Sequence, residues 1–308
     1  MNHFNGTNIQ QHKDTAVMIG NFDGLHKGHR KLAARLRSLA AEKDLQAAVF
    51  SFHPHPAFFF GKNNFRTIYT SAEKAALLAE LGFDLLIEYP FDEKLAAYTP
   101  ERFVAEILVK QMRCKAVVVG EGYRFGKNGA GTADALRQIG AAAGITTELV
   151  PHVKEMGEKL SSGAIRTWIG EGRMAEAAAA LTRPYFAVET VVQGRQIGRT
   201  IGFPTANMIP AAEKCLPPNG VYVTETCYNG IHYKSLTNVG VSPTVTDKAQ
   251  HGIETFLLDF DKEIYGEPIR VSFLRRLRGE IKFCGLDALK KQINHDMEEA
   301  EGAAVWQK

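Results

Sequence analysis

Two histidines, His26 and His29, close the stretch Gly20-Asn21-Phe22-Asp23-Gly24-Leu25-His26-Lys27-Gly28-His29, where an apolar run hands over to a helical pattern. Gly24 and Gly28 let the backbone turn and approach a ligand closely. The free N–H groups and positive dipole end of the following helix favour phosphate. Imidazoles there can donate hydrogen bonds to phosphoryl oxygens. In nucleotidyl transfer, charge builds on the attacked α-phosphate as pyrophosphate leaves, and fixed donors aimed at it lower the barrier without a covalent intermediate. The arrangement suits adenylyl transfer from ATP. The alternatives are a metal pair or two ordinary turn histidines, but this H-x-x-H has neither the i, i+4 face of a zincin helix nor a nearby carboxylate ligand set.

A second constellation lies in the other half, from Gly194 through Gly198 and Gly202 to Phe203-Pro204-Thr205-Ala206-Asn207. Glycines four apart can mark a membrane helix dimer, but the arginines and the proline here exclude that apolar setting. A flexible loop that closes over phosphates fits better, with the Thr205 hydroxyl and Asn207 amide as two hard oxygen ligands for a magnesium nucleotide. Glu254 is an acid inside the apolar run Ile253 to Phe260. Phosphorylating a primary alcohol needs such a carboxylate to orient the hydroxyl and accept its proton. A solvent-facing strand glutamate is the plain alternative. Arg275, Arg276 and Arg278, taken alone, read as a solvated face.

These groups need elements to hold them. Strand patterns fall at 16–19, 47–52, 85–88, 116–119 and 146–150, alternating with helical patterns at 29–43, 72–81, 100–112 and 133–143. That alternation predicts a parallel sheet wrapped by helices, with ligands beyond the carboxyl ends of its strands. After Arg183-Pro184 the rhythm changes to β-branched and aromatic runs at 186–193, 221–228, 231–238, 253–260 and 269–274, with turn signals such as Asn229-Gly230. These predict a small antiparallel barrel, and an amphipathic helix over 286–299 to close one side of it. A boundary near residue 184 therefore separates two domains, 1–183 and 184–308.

The composition agrees with this. A chain of 308 residues with 45% hydrophobic and 23% charged residues is that of an ordinary globular protein of about two domains. The net charge is only +3, without the dense basic footprint of a nucleic-acid binder. Four cysteines without a C-x-x-C pair argue against a disulfide scaffold. The first fifteen residues lack the apolar core of a signal peptide, and no apolar run approaches the ~18 residues of a membrane span. The expectation is a reduced, cytoplasmic enzyme with no membrane or nucleic-acid partner. How chains associate stays open.

The stretch from Gly20 to His29, Pro54-His55-Pro56, Gly120-Glu121-Gly122-Tyr123-Arg124-Phe125-Gly126, and Ser161-Ser162-Gly163-Ala164-Ile165-Arg166 resemble, in order, landmarks of the bacterial bifunctional riboflavin kinase and FAD synthetase family. Gly202-Phe203-Pro204-Thr205-Ala206-Asn207, the 237–244 and 253–260 segments, and Arg278 to Phe283 resemble its kinase module. The resemblance implies a Rossmann-like α/β nucleotidyltransferase domain making FAD from FMN and ATP, followed by a β-barrel kinase domain making FMN from riboflavin and ATP. Magnesium would serve both. It implies that His26 and His29 stabilise the transferring phosphate, Asn21 and Asp23 shape the loop, and Ser161, Ser162 and Arg166 bind ATP phosphates. Glu254 would be the kinase base, with Phe125 and Arg278 near flavin. Two positions depart from the family pattern: Gly122 replaces a usual Asp or Asn, and Gly163 a usual threonine. Each loses a polar group, typically worth ~0.5 to 1.5 kcal/mol per hydrogen bond. A kinase with a weakened adenylyltransferase domain, and a flavin-binding regulator without turnover, are the competing readings.

Overall fold

Near-continuous apolar runs, such as Thr15–Ile19 with all five residues buried, cannot face water on either side and so become interior strands of a parallel sheet. In the computed structural model this sheet contains β1 (Asn2–Asn5), β2 (Thr15–Ile19), β3 (Gln46–Phe52), β4 (Leu85–Tyr89), β5 (Cys114–Gly120) and, later in the chain, β8 (Thr146–Val150). Their order is β1-β4-β3-β2-β5-β8, parallel throughout. Two short antiparallel ribbons intervene or follow, β6 (Arg124–Phe125) with β7 (Gly131–Thr132) and β9 (Lys154–Glu155) with β10 (Glu158–Lys159). The structure describes residues 1–302 except Gln10, Asn63, Met156, Arg195 and 244–248. It divides into two compact units, Met1–Ser162 and Gly163–Lys308.

In the first unit the strand order reverses between β2 and β5, so the crevice beyond their carboxyl ends is the topological switch point. The helix Lys27–Glu42 buries Leu36 and Leu39 on the face that the leucine spacing predicts. The predicted helix over 100–112 begins as an α-helical turn, Pro100–Phe103, and widens into a π-helix over Val104–Gln111. β1, for which no strand pattern is predicted, lies along β4 as an edge strand.

β4 carries a buried ion pair. Glu88, with no solvent exposure, meets Lys74 Nζ at 2.6 Å and His3 Nε2 at 3.0 Å and accepts from Ser71 Oγ. Burial alone would raise the Glu88 carboxyl, but Lys74, Ser71 and His3 together hold it below the ordinary glutamate range. Lys74 Nζ also donates to Ser51 Oγ (3.0 Å), whose hydroxyl donates to the Asn21 carbonyl (3.2 Å), so this network reaches the histidine loop. Lys74→Met strands the carboxylate and is expected to cost about 3–5 kcal/mol in urea unfolding. Because the folded-state pKa of Glu88 is depressed, its stabilisation is present at neutral pH and is lost as pH falls through that lowered value.

The second unit begins with the helices Ser162–Gly170 (its first residue at the division) and Met174–Leu181. Its sheet comprises β11 (Tyr185–Thr190), β12 (Thr205–Met208), β13 (Gly220–Tyr228), β14 (Ile231–Pro243), β15 (Ala249–Leu257) and β16 (Pro268–Arg278). The order β11-β16-β13-β14-β15-β12 is antiparallel throughout. One bridge closes it into a barrel: Val192, just past β11, donates to the Asn207 carbonyl on β12 at 2.8 Å. Inside runs a ladder of fully buried hydroxyls, Thr226, Ser235, Thr224, Thr237 and Thr255, with successive oxygens 2.7 to 3.0 Å apart. Outside, Val223 and Leu236 pack with Ala300 and Met297 of the C-terminal helix Leu286–Gly302.

Candidate active sites

His26 is the N-cap of the helix Lys27–Glu42. Its Nδ1 accepts from the amides of Gly28 (3.2 Å) and His29 (3.4 Å). A nitrogen that accepts two N–H bonds carries no proton, so Nε2–H is the donor that His26 offers. The His29 ring stacks on it with centroids 3.7 Å apart, and Phe22 meets His29 edge-on. Burial pushes His26 down to about 4. His29 lies well below its usual value, through burial and then through His26. Both rings are therefore neutral donors at neutral pH. A Cβ at Gly28 would stand 3.1 Å from His26 Cε1, so glycine there leaves the capping ring its place.

The loop is braced from beneath. Asp23 is buried and accepts from the amides of Ile68 (2.8 Å) and Tyr69 (3.4 Å) through Oδ1. Its carbonyl accepts from Ser162 Oγ at 2.7 Å, so Ser162 ties the end of the unit to the histidine loop. Phe22 and Leu25 hold left-handed backbone (φ 49° and 42°) beside Gly24 (φ 91°). Such strain, about 1–3 kcal/mol per residue, persists only where surroundings impose it. Arg166 lies one turn beyond Ser162 in the helix Ser162–Gly170.

A cleft of about 870 Å³ opens at the switch point, lined by Gly20 and Asn21 after β2, Phe52 at the end of β3, Phe91 after β4, and Gly122 to Phe125 after β5. Asn21 Oδ1 is buried with no hydrogen-bond partner, as is His29 Nδ1. Phe125 is 6% exposed and stacked on Tyr123, so it belongs as much to the core as to the cleft wall.

In the second unit the register does the assembling. Asn207 on β12 and Asn238 on β14 both pair with Glu254 on β15, and Thr205 pairs with Phe256. Directly paired residues share a sheet face. Glu254, Asn207, Asn238 and Thr205 thus gather on the outer face, opposite the hydroxyl ladder. Thr205, Asn238 and Glu254 line a pocket of about 320 Å³ that also takes Arg278, Glu280, Phe283 and, from the C-terminal helix, Leu289 and Ile293. Thr205 and Asn207 also line an adjoining space of about 720 Å³ with Gly202, Arg199 and Tyr265. A Cβ at Gly194 would strike Asn207 Nδ2 at 2.4 Å, and one at Gly198 would strike the Phe203 carbonyl at 2.2 Å. Those two glycines are required by close packing of the loop.

The family model for FAD synthetase matches residues 8–164, and that for riboflavin kinase matches residues 181–304. Two curated relatives are described as bifunctional riboflavin kinase/FMN adenylyltransferase. One, from Bacillus subtilis, is 35% identical over 95% of this chain and 93% of its own; the other, from Escherichia coli, is 36% identical over 91% and 90%. The chain belongs to the bifunctional riboflavin kinase/FMN adenylyltransferase family. A solved structure described as a macrolide-efflux protein from Streptococcus pneumoniae shares the fold over 96% of this chain and 98% of its own, with TM-score 0.86 and 31% identity. Its description names a different activity from that of the curated relatives. No helix among the described residues is long and apolar enough to cross a membrane.

For a member of this family, three features escaped sequence reading. Arg278 directs Nε and NH2 to Asp296 on the C-terminal helix at 2.7 to 3.1 Å, and NH1 to the Gly279 carbonyl. It holds the helix that walls the 320 Å³ pocket. Asp296, 2% exposed, looked like any acid on a polar helix face, and no sequence signal singles it out. The aromatic cleft wall comes from three separate loops, visible only once the strands are ordered. Arg278→Ala leaves the buried Asp296 carboxylate without its counter-charge, with the Gln292 amide still donating to it (2.9 Å), and is expected to lower stability by about 3–5 kcal/mol and to raise the riboflavin KM. Arg278→Lys, with charge but no planar fork, should recover only part of both, as read by urea unfolding and kinase kinetics.

Proposed function

We infer that this chain makes FMN from riboflavin and ATP in its barrel, and FAD from FMN and ATP at the switch point of its parallel sheet. The observation that carries the reading is the register of β12, β14 and β15, which sets Glu254 beside Thr205, Asn207 and Asn238 at the mouth of a flavin-sized pocket. The functional division assigned is 1–183 for the adenylyltransferase and 184–308 for the kinase. The helices Ser162–Gly170 and Met174–Leu181 are counted with the first function, although they pack with the second compact unit.

In the kinase, Glu254 orients the terminal ribityl hydroxyl and accepts its proton as that oxygen attacks the γ-phosphate of ATP and the bond to the β–γ bridging oxygen breaks, releasing ADP. Thr205 and Asn207 suit magnesium: Asn207 Nδ2 donates to the Thr205 carbonyl (3.2 Å) and at longer range to Thr205 Oγ1 (3.5 Å), so Asn207 Oδ1 and the other lone pair of Thr205 Oγ1 serve as neutral hard oxygens. Magnesium typically takes few protein ligands and fills the rest from phosphates and water. Bound there, it would neutralise charge on the nucleotide phosphates. The adjoining 720 Å³ space, with Gly202 and Arg199, takes the ATP.

In the adenylyltransferase, the aromatic cleft holds the flavin ring with Phe125 in its wall, and the FMN phosphate attacks the α-phosphate of ATP. His26 Nε2–H and His29 donate to the oxygens that gain charge as pyrophosphate leaves. Gly24 and Gly28 keep the loop close to the phosphates, while Ser161 and Arg166 bind them. Incubation with riboflavin, ATP and magnesium, followed by chromatography against time, tests this. FMN followed by FAD is expected. FMN alone would reduce the chain to a kinase, and no product would leave a flavin-binding regulator.

A further inference from the structure

Gly122, two residues past β5, lines the switch-point cleft together with Tyr123 and Asn21. The space above it is not empty. A Cβ built there would lie 2.9 Å from His152 Nε2, 3.0 Å from His152 Cε1 and 3.4 Å from Lys159 Nζ. Two nitrogen groups from different places in the sequence therefore converge on the one point where residue 122 would carry a side chain.

The hairpin that delivers them is held at both ends. Lys159 pairs with Lys154 across the β9–β10 ribbon, and the Leu160 amide donates to the Val153 carbonyl at 3.0 Å. The Glu121 amide donates to the Val150 carbonyl at 3.2 Å, fixing the turn that carries Gly122 to the strand leading into the hairpin. The His152 and Lys159 side chains are exposed. A polar side chain at 122 would offer one neutral donor. An imidazole and an ammonium offer two donors, the ammonium with a positive charge, which favour an anion.

We propose that His152 and Lys159, converging over the bare backbone of Gly122, form a clamp for a phosphoryl group at the rim of the adenylyltransferase cleft. The clamp rests on the adenylyltransferase reading above, and its ligand is the FMN phosphate or the outer phosphates of ATP. Glycine at 122 is then the condition for the clamp, since any side chain would displace the His152 ring.

The test compares wild type, His152→Ala, Lys159→Met and their double variant in FAD formation from supplied FMN and ATP. Each single change is expected to raise one substrate's KM by about 5- to 20-fold, as for loss of a partly exposed charge-assisted hydrogen bond, with kcat changed less and riboflavin phosphorylation unaffected. Movement of the FMN KM assigns the clamp to FMN, and movement of the ATP KM assigns it to ATP. Gly122→Asn, which displaces the His152 ring, should raise the same KM about as much as His152→Ala, and Gly122→Asn with His152→Ala no further than either alone; a merely structural role predicts additive losses. Unchanged KM values for both substrates in the double variant would overturn the clamp. If wild type forms no FAD, the adenylyltransferase reading fails. The clamp is then judged by calorimetric titration with inorganic pyrophosphate, where equal affinity of wild type and double variant would overturn it.

Discussion

Glu254→Gln is expected to lower the kcat for FMN formation by about 10²- to 10⁴-fold, the usual contribution of a positioned general base. The substitution keeps the shape and the hydrogen-bonding reach of the side chain. It removes only the ability to accept the ribityl proton at neutral pH. Because Glu254 sits between Asn207 and Asn238 in the strand register, an amide there fits an already neutral polar row, and the barrel should fold normally. The KM for riboflavin should change little, since the pocket walls are untouched. FAD formation from supplied FMN should survive, because His26 and His29 belong to the other compact unit. Equal loss of both activities would contradict two separate sites.

The second large effect is expected at the histidine pair. His29→Ala should slow adenylyl transfer by about 10²- to 10³-fold, the loss that follows removal of one fixed donor to developing charge. Riboflavin phosphorylation should be spared. His26 needs a subtler substitution, because it also caps the helix Lys27–Glu42. Alanine there would confound lost chemistry with about 1 kcal/mol of lost capping. His26→Asn keeps a favoured cap and removes the ring, so a comparable rate loss with unchanged thermal stability would separate the two roles. The pH dependence carries a sign. Both imidazoles have folded-state pKa values below the ordinary histidine value, to about 4 for His26, so in the free enzyme they stay neutral where an ordinary histidine titrates. The pH profile of kcat/KM for adenylyl transfer should lack an inflection near 6.5 from this pair. The contribution of neutral burial to stability is complete above ~6.5 and is lost as pH falls toward 4. An inflection near 6.5 that vanishes in His29→Ala would contradict the neutral pair.

Much of this was legible in the sequence because it depends on period. Continuous apolar runs of five to seven residues with helices between them can only be a parallel sheet, and its switch point follows from strand order. The β-branched runs after Arg183 likewise become the barrel. What escaped lacks a periodic signature. β1 is a polar edge strand whose partner, β4, is eighty residues away, so nothing local announces it. β12 hides within a glycine-rich loop and is a strand only because β15 pairs with it. At the sites, residue types suggest the chemistry proposed for His26, His29, Thr205, Asn207 and Glu254. Tertiary contacts add what residue type does not show: Asp23 and Ser162 brace the loop, and Arg278 anchors a helix. The polar group missing at Gly122 becomes interpretable only when the hairpin over it is seen.

The hydroxyl ladder inside the barrel bears on how this sequence can drift. Each rung donates a hydrogen bond to a neighbour or accepts one, and Thr224 touches both Ser235 and Thr237. A single change to an apolar residue would orphan the rungs beside it, whereas exchanging the whole set would orphan none. The interior of the kinase barrel therefore sits on a mutational island: the ladder can be rewritten only by several coordinated changes, not one residue at a time.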